Sequence, residues 1–180
     1  MAVILSVFRL SADAIYIGVH IRRSDMVIDS KYTVADVGYF RRAVHFMMRT
    51  FSLHQLVFVV CSDDLYWSKY NFPAAVSRVM SHVTVANDNG NPSNDTTIKA
   101  SAANFSSAFV VFSERHEAEE DLAILSSCNH TIMTVGTYGW WGGYLAGGIT
   151  IYYRNFPAKT SELWHWFSHK DHFPPNWIGL

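Results

Sequence analysis

The stretch Gln55-Leu56-Val57-Phe58-Val59-Val60-Cys61 is apolar from its second residue onward, with no charge and no turn former. A strand wetted on one side alternates apolar with polar residues. A continuous apolar run of this length is buried on both faces, as in a parallel sheet covered by helices. Ala14-Ile15-Tyr16-Ile17-Gly18-Val19 and Ala108-Phe109-Val110-Val111-Phe112 read the same way. Between the first two runs, Val34, Val37, Phe40, Val44, Met47, Met48 and Phe51 recur at helical spacing and are read as core. The pattern predicts strands at about 14–21, 55–61, 83–85, 108–112, 131–135 and 150–153. Helices are expected at about 34–51, 62–70, 117–127 and 140–146. Thr33 is expected to cap the first helix with Asp36 completing a capping box, and Ser62-Asp63-Asp64 to cap the second. Residues 87–95 are dense in turn formers and read as an exposed loop, and the tail from Phe173 to Trp177 reads as irregular. Strand–helix alternation of this kind predicts an α/β fold with a doubly wound parallel sheet.

The 180 residues, 49% of them hydrophobic, suffice for one domain with a real core. A net charge of −1 supplies no global basic field for nucleic acid or an anionic membrane, so any anion site must be local. No apolar run approaches the ~20 residues of a membrane helix. The opening Met1 to Phe8 lacks a basic region before it and is read as a first strand, or as an arbitrary start within a longer parent protein, rather than as a signal peptide. Cys61 and Cys128 are too few for a disulfide framework or a zinc site on their own, and whether they pair is left open. Sequons begin at Asn94, Asn104 and Asn129.

Chemistry gathers where strands end. Ligands of open α/β sheets bind outside the carboxyl ends of the strands, where Arg22, Asp63 and Thr137 fall. In Gly18-Val19-His20-Ile21-Arg22-Arg23-Ser24-Asp25, strand alternation places His20 and Arg22 on one face and Arg23 on the other. Arg22 can clamp phosphate oxygens bidentately, or it can be an ordinary solvated strand end. Arg23 and Asp25 share the opposite parity and are expected to pair. The glycine-rich stretch from Val135 to Tyr144 leads from a strand into a helix, where backbone N–H groups can cradle phosphates. It matches neither a dinucleotide GxGxxG nor a P-loop; alternatively, its glycines serve close helix packing. Asp121, in the first turn of a helix, can pair with the N1–H and amino group of guanine or be a solvated turn residue. His165, His169 and His172 recur at metal-like spacing, yet aromatic residues interleave with them and no carboxylate completes a signature; an aromatic tail packed on the domain accounts for them better. No Asp-x-Asp occurs, which argues against a manganese-bound diphosphate, and no nucleophile elbow is present.

The segment from Gly18 to Asp25 resembles the first motif of the galactoside α-1,2-fucosyltransferases. The segment Asp121-Leu122-Ala123-Ile124-Leu125, continuing through Cys128-Asn129-His130-Thr131-Ile132-Met133-Thr134-Val135-Gly136-Thr137-Tyr138-Gly139 and Tyr144 to Gly148, resembles their downstream motif. Phe58 to Ser62 with Trp67, and the closing Phe173 to Gly179, fit in order. The resemblance implies the Rossmann-like, donor-binding half of a GT-B glycosyltransferase, a single domain over 1–180 with an exposed insertion at about 77–107. It implies inverting transfer of fucose from GDP-fucose to the 2-hydroxyl of a terminal galactose on a glycan, with no metal cofactor. Carried over by position, His20 and Asp121 contact guanine, Arg22 neutralises the β-phosphate, and Thr137, Tyr138 and Gly139 bind the diphosphate. Asp25 and Asp29 are the candidates for the base that deprotonates the acceptor. The parent enzymes imply a lumenal Golgi location, with an amino-terminal anchor and an acceptor domain that this sequence does not show. Ser24 stands where the motif carries glycine.

Overall fold

Among the described residues six strands pair side by side, all parallel, in the order β3-β2-β1-β4-β5-β6, and the strand expected at 1–8 lies outside them. They are β1 (Ile15–Ile21), β2 (Leu56–Ser62), β3 (Ala108–Phe112), β4 (His130–Met133), β5 (Thr150–Tyr152) and β6 (Ile178–Gly179). The helices are α1 (Ser24–Ile28), α2 (Val37–Thr50), α3 (Leu65–Ala86), α4 (Ala118–Ser126), α5 (Thr137–Ala146), α6 (Leu163–Trp166) and α7 (His169–His172). This computed structural model describes residues 13–29, 32–86, 107–114 and 117–180. The expected doubly wound α/β architecture is the one observed, in the strand order of a Rossmann-like domain.

The two faces of β1 are built differently. Ile17, Val19 and Ile21 join Leu56, Phe58 and Val60 beneath Tyr39, Phe40, Val44 and Met47 of α2 and Phe72, Ala75, Val76 and Val79 of α3. On the opposite face Tyr16, Val57 and Val59 meet Ile124 and Cys128 in a much smaller cluster. Gly18 lies on this thinner face, where a Cβ would stand 3.1 Å from Leu125 Cδ2. Helix α4 can therefore lie close against β1. Burial of the larger face is the main source of stability, at roughly 25 cal/mol per Å² of apolar area removed from water.

Several boundaries differ from the sequence reading. Asp36, expected as the third residue of a capping box, is itself the N-cap of α2 and accepts the Tyr39 N–H at 2.7 Å. The helix therefore starts at Val37 rather than 34. Helix α3 was expected to stop near Tyr70, with a strand at 83–85; instead one helix continues through Pro73 to Ala86. The buried stripe Phe72, Ala75, Val76 and Val79 keeps helical spacing past the proline, and tertiary burial outweighs the lost N–H. The insertion foreseen at 77–107 thus begins as helix, and its remainder through 106, with the loop at 87–95, lies outside the described residues. Helix α5 begins at Thr137, three residues before the expected start, so most of the glycine-rich stretch is helix rather than loop. Glycine in a helix interior costs about 1 kcal/mol relative to alanine. Here Gly139, Gly142 and Gly143 are buried, and a Cβ would overlap His20 at the first and Thr150 at the last and press tightly on Leu125 at the second. The tail from Phe173 to Trp177 is irregular as expected, and directly after it Ile178–Gly179 forms β6, a two-residue strand too short to leave a periodic signal.

Candidate functional site

The chain reverses direction across the sheet at β1. From β1 it passes to β2 and β3 on one side, then returns to β4 on the other. A crevice opens at such a reversal, outside the carboxyl ends of the two central strands. The first residue beyond each of β1 to β4 is polar: Arg22, Asp63, Ser113 and Thr134. The backbone is knitted together up to the crevice. Thr134 N–H donates to the His20 carbonyl at 3.1 Å, and Arg22 N–H donates to Thr134 Oγ1 at 2.9 Å.

His20 points from the last turn of β1 toward α5 and is buried, and its Nδ1 has no hydrogen-bond partner. A Cβ at position 139 would overlap that nitrogen, so only glycine lets α5 approach this closely. The Tyr138 ring lies 5.1 Å from the imidazole, centroid to centroid. Burial, reinforced by the positive charge of Arg22, pushes the His20 pKa down to about 4, so the ring is neutral at neutral pH. The Tyr138 hydroxyl donates to the Ala118 carbonyl and ties the start of α5 to the start of α4. Its pKa is pushed up to about 12, mainly by burial and then by the nearby Asp121 carboxylate. Ser113 donates its hydroxyl to Asp121 Oδ1, and Asp121 N–H closes the first turn of α4 on the Glu117 carbonyl at 3.0 Å. Thus His20 and Asp121, about a hundred residues apart in sequence, are brought together through Tyr138 and Gly139 at the start of α5.

Helix α5 enters the crevice amino end first. Gly136, its N-cap, has φ of +92°, a conformation open to glycine and costly for other residues, and no side chain caps the helix. The first intrahelical bond runs from Trp140 N–H to the Gly136 carbonyl. The N–H groups of Thr137, Tyr138 and Gly139 therefore have no intrahelical acceptor, and the exposed Thr137 hydroxyl sits beside them. Oriented amides and the helix dipole favour an anion there.

The two arginines have separate duties, though not with the expected partners. Arg22 Nη2 lies 2.9 Å from Asp25 Oδ2, and its Nε 3.4 Å from Asp63 Oδ2. Arg23 stacks 3.9 Å over the Trp67 ring centre, with its Nε 3.6 Å from Asp64 Oδ2. The expected Arg23–Asp25 pair is absent: strand alternation ends at Ile21, and α1 turns Asp25 back toward Arg22. Asp63 is held by three hydrogen bonds, accepting from Arg23 N–H at 2.8 Å and Ser24 N–H at 3.2 Å while its carbonyl accepts from Ser24 Oγ at 2.9 Å. Capping of α3 falls to Asp64, which accepts from Trp67 N–H at 3.0 Å. Asp25 is exposed and is held below the usual carboxylate range by its hydrogen bond from Arg22. It is ionised, as a base must be, but with reduced proton affinity. Thr134, Ser113 and the anchoring role of Asp63 were not foreseen; the shared signal was a polar residue directly after each strand.

Elsewhere, Cys61 and Cys128 are both free and buried. Burial raises both thiols, Cys128 to about 12. His169 and His172 pack among Phe167 and Phe173 in the tail, and the described residues contain no His/Cys/Asp/Glu cluster able to hold a metal. Asn129 accepts the Tyr16 N–H on Oδ1 at 2.8 Å, while Asn94 and Asn104 lie outside the described residues.

A Rossmann-like parallel sheet with polar and charged residues at its strand ends and an uncapped helix start is the class of domain that the fold and site define. Comparison with known proteins narrows that class: glycosyl transferase family 11 matches residues 5–101 and 92–180, and the chain belongs to this family. It is 33% identical over 174 residues to galactoside 2-alpha-L-fucosyltransferase SEC1 of Bos taurus, covering 94% of this chain and 39% of that protein. It is 34% identical over 174 residues to galactoside alpha-(1,2)-fucosyltransferase 2 of Rattus norvegicus, covering 94% and 41%. With galactoside alpha-(1,2)-fucosyltransferase 1 of Homo sapiens the identity is 32% over 170 residues, covering 92% and 38%. The chain spans about two fifths of the length of these curated relatives.

Proposed function

We propose that this chain carries the sugar-nucleotide site of a galactoside α-1,2-fucosyltransferase and binds GDP-fucose in the crevice between β1 and β4. The observation that supports this best is that Arg22 after β1, the uncapped start of α5 after β4 and Asp121, bonded to Ser113 after β3, all lie at the carboxyl edge of the sheet. In this reading Arg22 meets the β-phosphate, and the amides of Thr137, Tyr138 and Gly139 with the Thr137 hydroxyl hold the diphosphate. Asp121, oriented by Ser113, accepts from the N1–H and amino group of guanine; a carboxylate has the acceptor capacity for both donors and for Ser113. His20 closes the base end as a neutral ring and adds no charge against Arg22.

Transfer builds negative charge on the departing GDP as the bond from fucose to the β-phosphate oxygen breaks. Arg22 and the α5 amides, rather than a bound metal, neutralise that charge where it develops, which lowers the barrier more than the ground state. The acceptor is the 2-hydroxyl of a terminal galactose on a glycan, and attack from the opposite face inverts the anomeric centre. Asp25, exposed and bonded to Arg22, is the candidate base for accepting the hydroxyl proton. The relatives' greater length leaves room for an acceptor domain, and in the parent enzyme we place the reaction in the lumen of the Golgi.

Thermal melts with nucleotides test the donor site. GDP and GDP-fucose should raise the melting temperature by several degrees at saturating concentration, and ADP by far less. Equal shifts with GDP and ADP would remove the guanine assignment. Linkage analysis of the product from GDP-fucose and lactose tests the transfer itself.

A further inference from the structure

A second cavity of about 590 Å³ opens beyond the carboxyl end of β5, lined by Thr33, Arg154, Asn155, Lys159, Trp164 and His169. Its volume is that of a small-ligand site. In a chain of net charge −1 this lining is notable for its sign: it holds two permanent cations and an imidazole, and no carboxylate. Among the described residues neither Arg154 nor Lys159 is ion-paired, although Arg22, Arg23 and Lys69 all are. The walls are fixed from several directions. Arg154 N–H donates to the Leu180 carbonyl at 3.0 Å, and His169 Nε2 lies 2.9 Å from the Arg154 carbonyl, so that nitrogen carries the proton. Tyr32 stacks on Phe156 at 6.1 Å, bringing the segment that bears Thr33 against the one that bears Asn155.

The non-ionic part of the lining suits a sugar. Trp164 offers an aromatic plane, with Lys159 Nζ 5.9 Å from its ring centre, and Asn155 and Thr33 each carry both donor and acceptor capacity. The cavity is on the same rim as the donor crevice: β5 is two strands from β1, about 10 Å at ordinary strand spacing. We propose that this cavity is a glycan subsite selective for an anionic sugar, a residue bearing sulfate or carboxylate, with Arg154 and Lys159 binding the anion and Trp164 the ring. The proposal rests on the reading of the chain as a glycosyltransferase domain and specifies the acceptor class that it favours.

Calorimetric titration of the chain with galactose 3-sulfate, galactose and inorganic sulfate, in the absence of nucleotide, decides it. Galactose 3-sulfate should bind at least tenfold more tightly than either galactose or sulfate. Inorganic sulfate matching the sulfated sugar would identify a simple anion site and overturn the glycan assignment. Galactose matching it would overturn the anion selectivity. Lys159→Ala and Arg154→Ala, both at exposed side chains, should each reduce the preference at least threefold while leaving GDP affinity within twofold. Unchanged preference in both variants would also overturn the proposal. Because the nucleotide response is measured separately, its loss would count against the donor crevice and not against this cavity.

Discussion

The two faces of β1 belong to one strand yet do opposite work. The odd-numbered residues Ile17, Val19 and Ile21 are branched, fully buried and roofed by two long helices. The even-numbered Gly18 and His20 are a missing side chain and a buried imidazole, covered by α4 and α5. One face maximises apolar burial; the other gives up bulk so that the start of α5 can approach a polar rim. Stability and binding should therefore separate by face, and mutations can show whether they do.

The largest effect is expected under the odd face. Phe40 of α2 is fully buried against Phe72 and Trp67, and Phe40→Ala should cost about 4 kcal/mol through lost burial and a residual cavity. Urea unfolding measures the loss. The fraction still folded should bind GDP with unchanged affinity; weakened intrinsic binding would show that the thick face also shapes the crevice.

Next comes the cost of keeping His20 neutral. Its pKa is lowered to about 4 in the fold from 6.5 in an exposed chain. Between those values the unfolded state holds the extra proton, so stability rises with pH from about 4 to 6.5 and is flat in this respect above. The full span corresponds to roughly 3 kcal/mol at 1.36 kcal/mol per pH unit. In His20→Gln this part of the pH dependence should vanish. Parallel stability curves for the two proteins across that window would show that His20 is not held neutral.

The contrast between faces also explains what the sequence could convey. Period-two alternation is local, and it placed His20 and Arg22 together and Arg23 apart. Strand and helix order followed from apolar runs whose burial admits few arrangements, so the parallel sheet was legible. Partners across the fold were not. Arg23 finds Trp67 and Asp64 only because α3 returns over that end of the sheet. Asp25 was assigned to the wrong arginine because the alternation rule was carried one element too far, into α1. The helix expected at 62–70 stops before Pro73 and the one expected at 140–146 starts after Gly139, and only the burial found around these residues shows both to be helical. Thr134 and Ser113 became meaningful once β3 and β4 were known to end beside β2 and β1.

A smaller expected effect concerns the two arginines. Arg22→Ala should weaken GDP binding about thirtyfold, near 2 kcal/mol, the scale of a charge-assisted hydrogen bond to phosphate. Arg23→Ala should change GDP affinity less than threefold and instead cost about 1 kcal/mol of stability by exposing Trp67. Equal losses of affinity would erase the distinction between the two faces at the point where β1 ends.

The smallest effect bears on Asp25 and runs in the opposite direction. Arg22 is flanked by two carboxylates, and an incoming diphosphate must compete with them. Asp63 is fixed by backbone donors from Arg23 and Ser24, whereas Asp25 is exposed and bonded to Arg22. Asp25 is thus the partner that yields. Asp25→Asn removes a competing charge and should tighten GDP binding two- to fivefold, most clearly at low salt, where exposed charges are least screened. If Asp25 also serves as the base, the same variant will lose transfer activity while binding donor better, a split between binding and turnover that a merely structural carboxylate would not produce. Weaker GDP binding in Asp25→Asn would instead mean that Asp25 holds Arg22 in its binding pose, placing the carboxylate on the supporting side of the comparison.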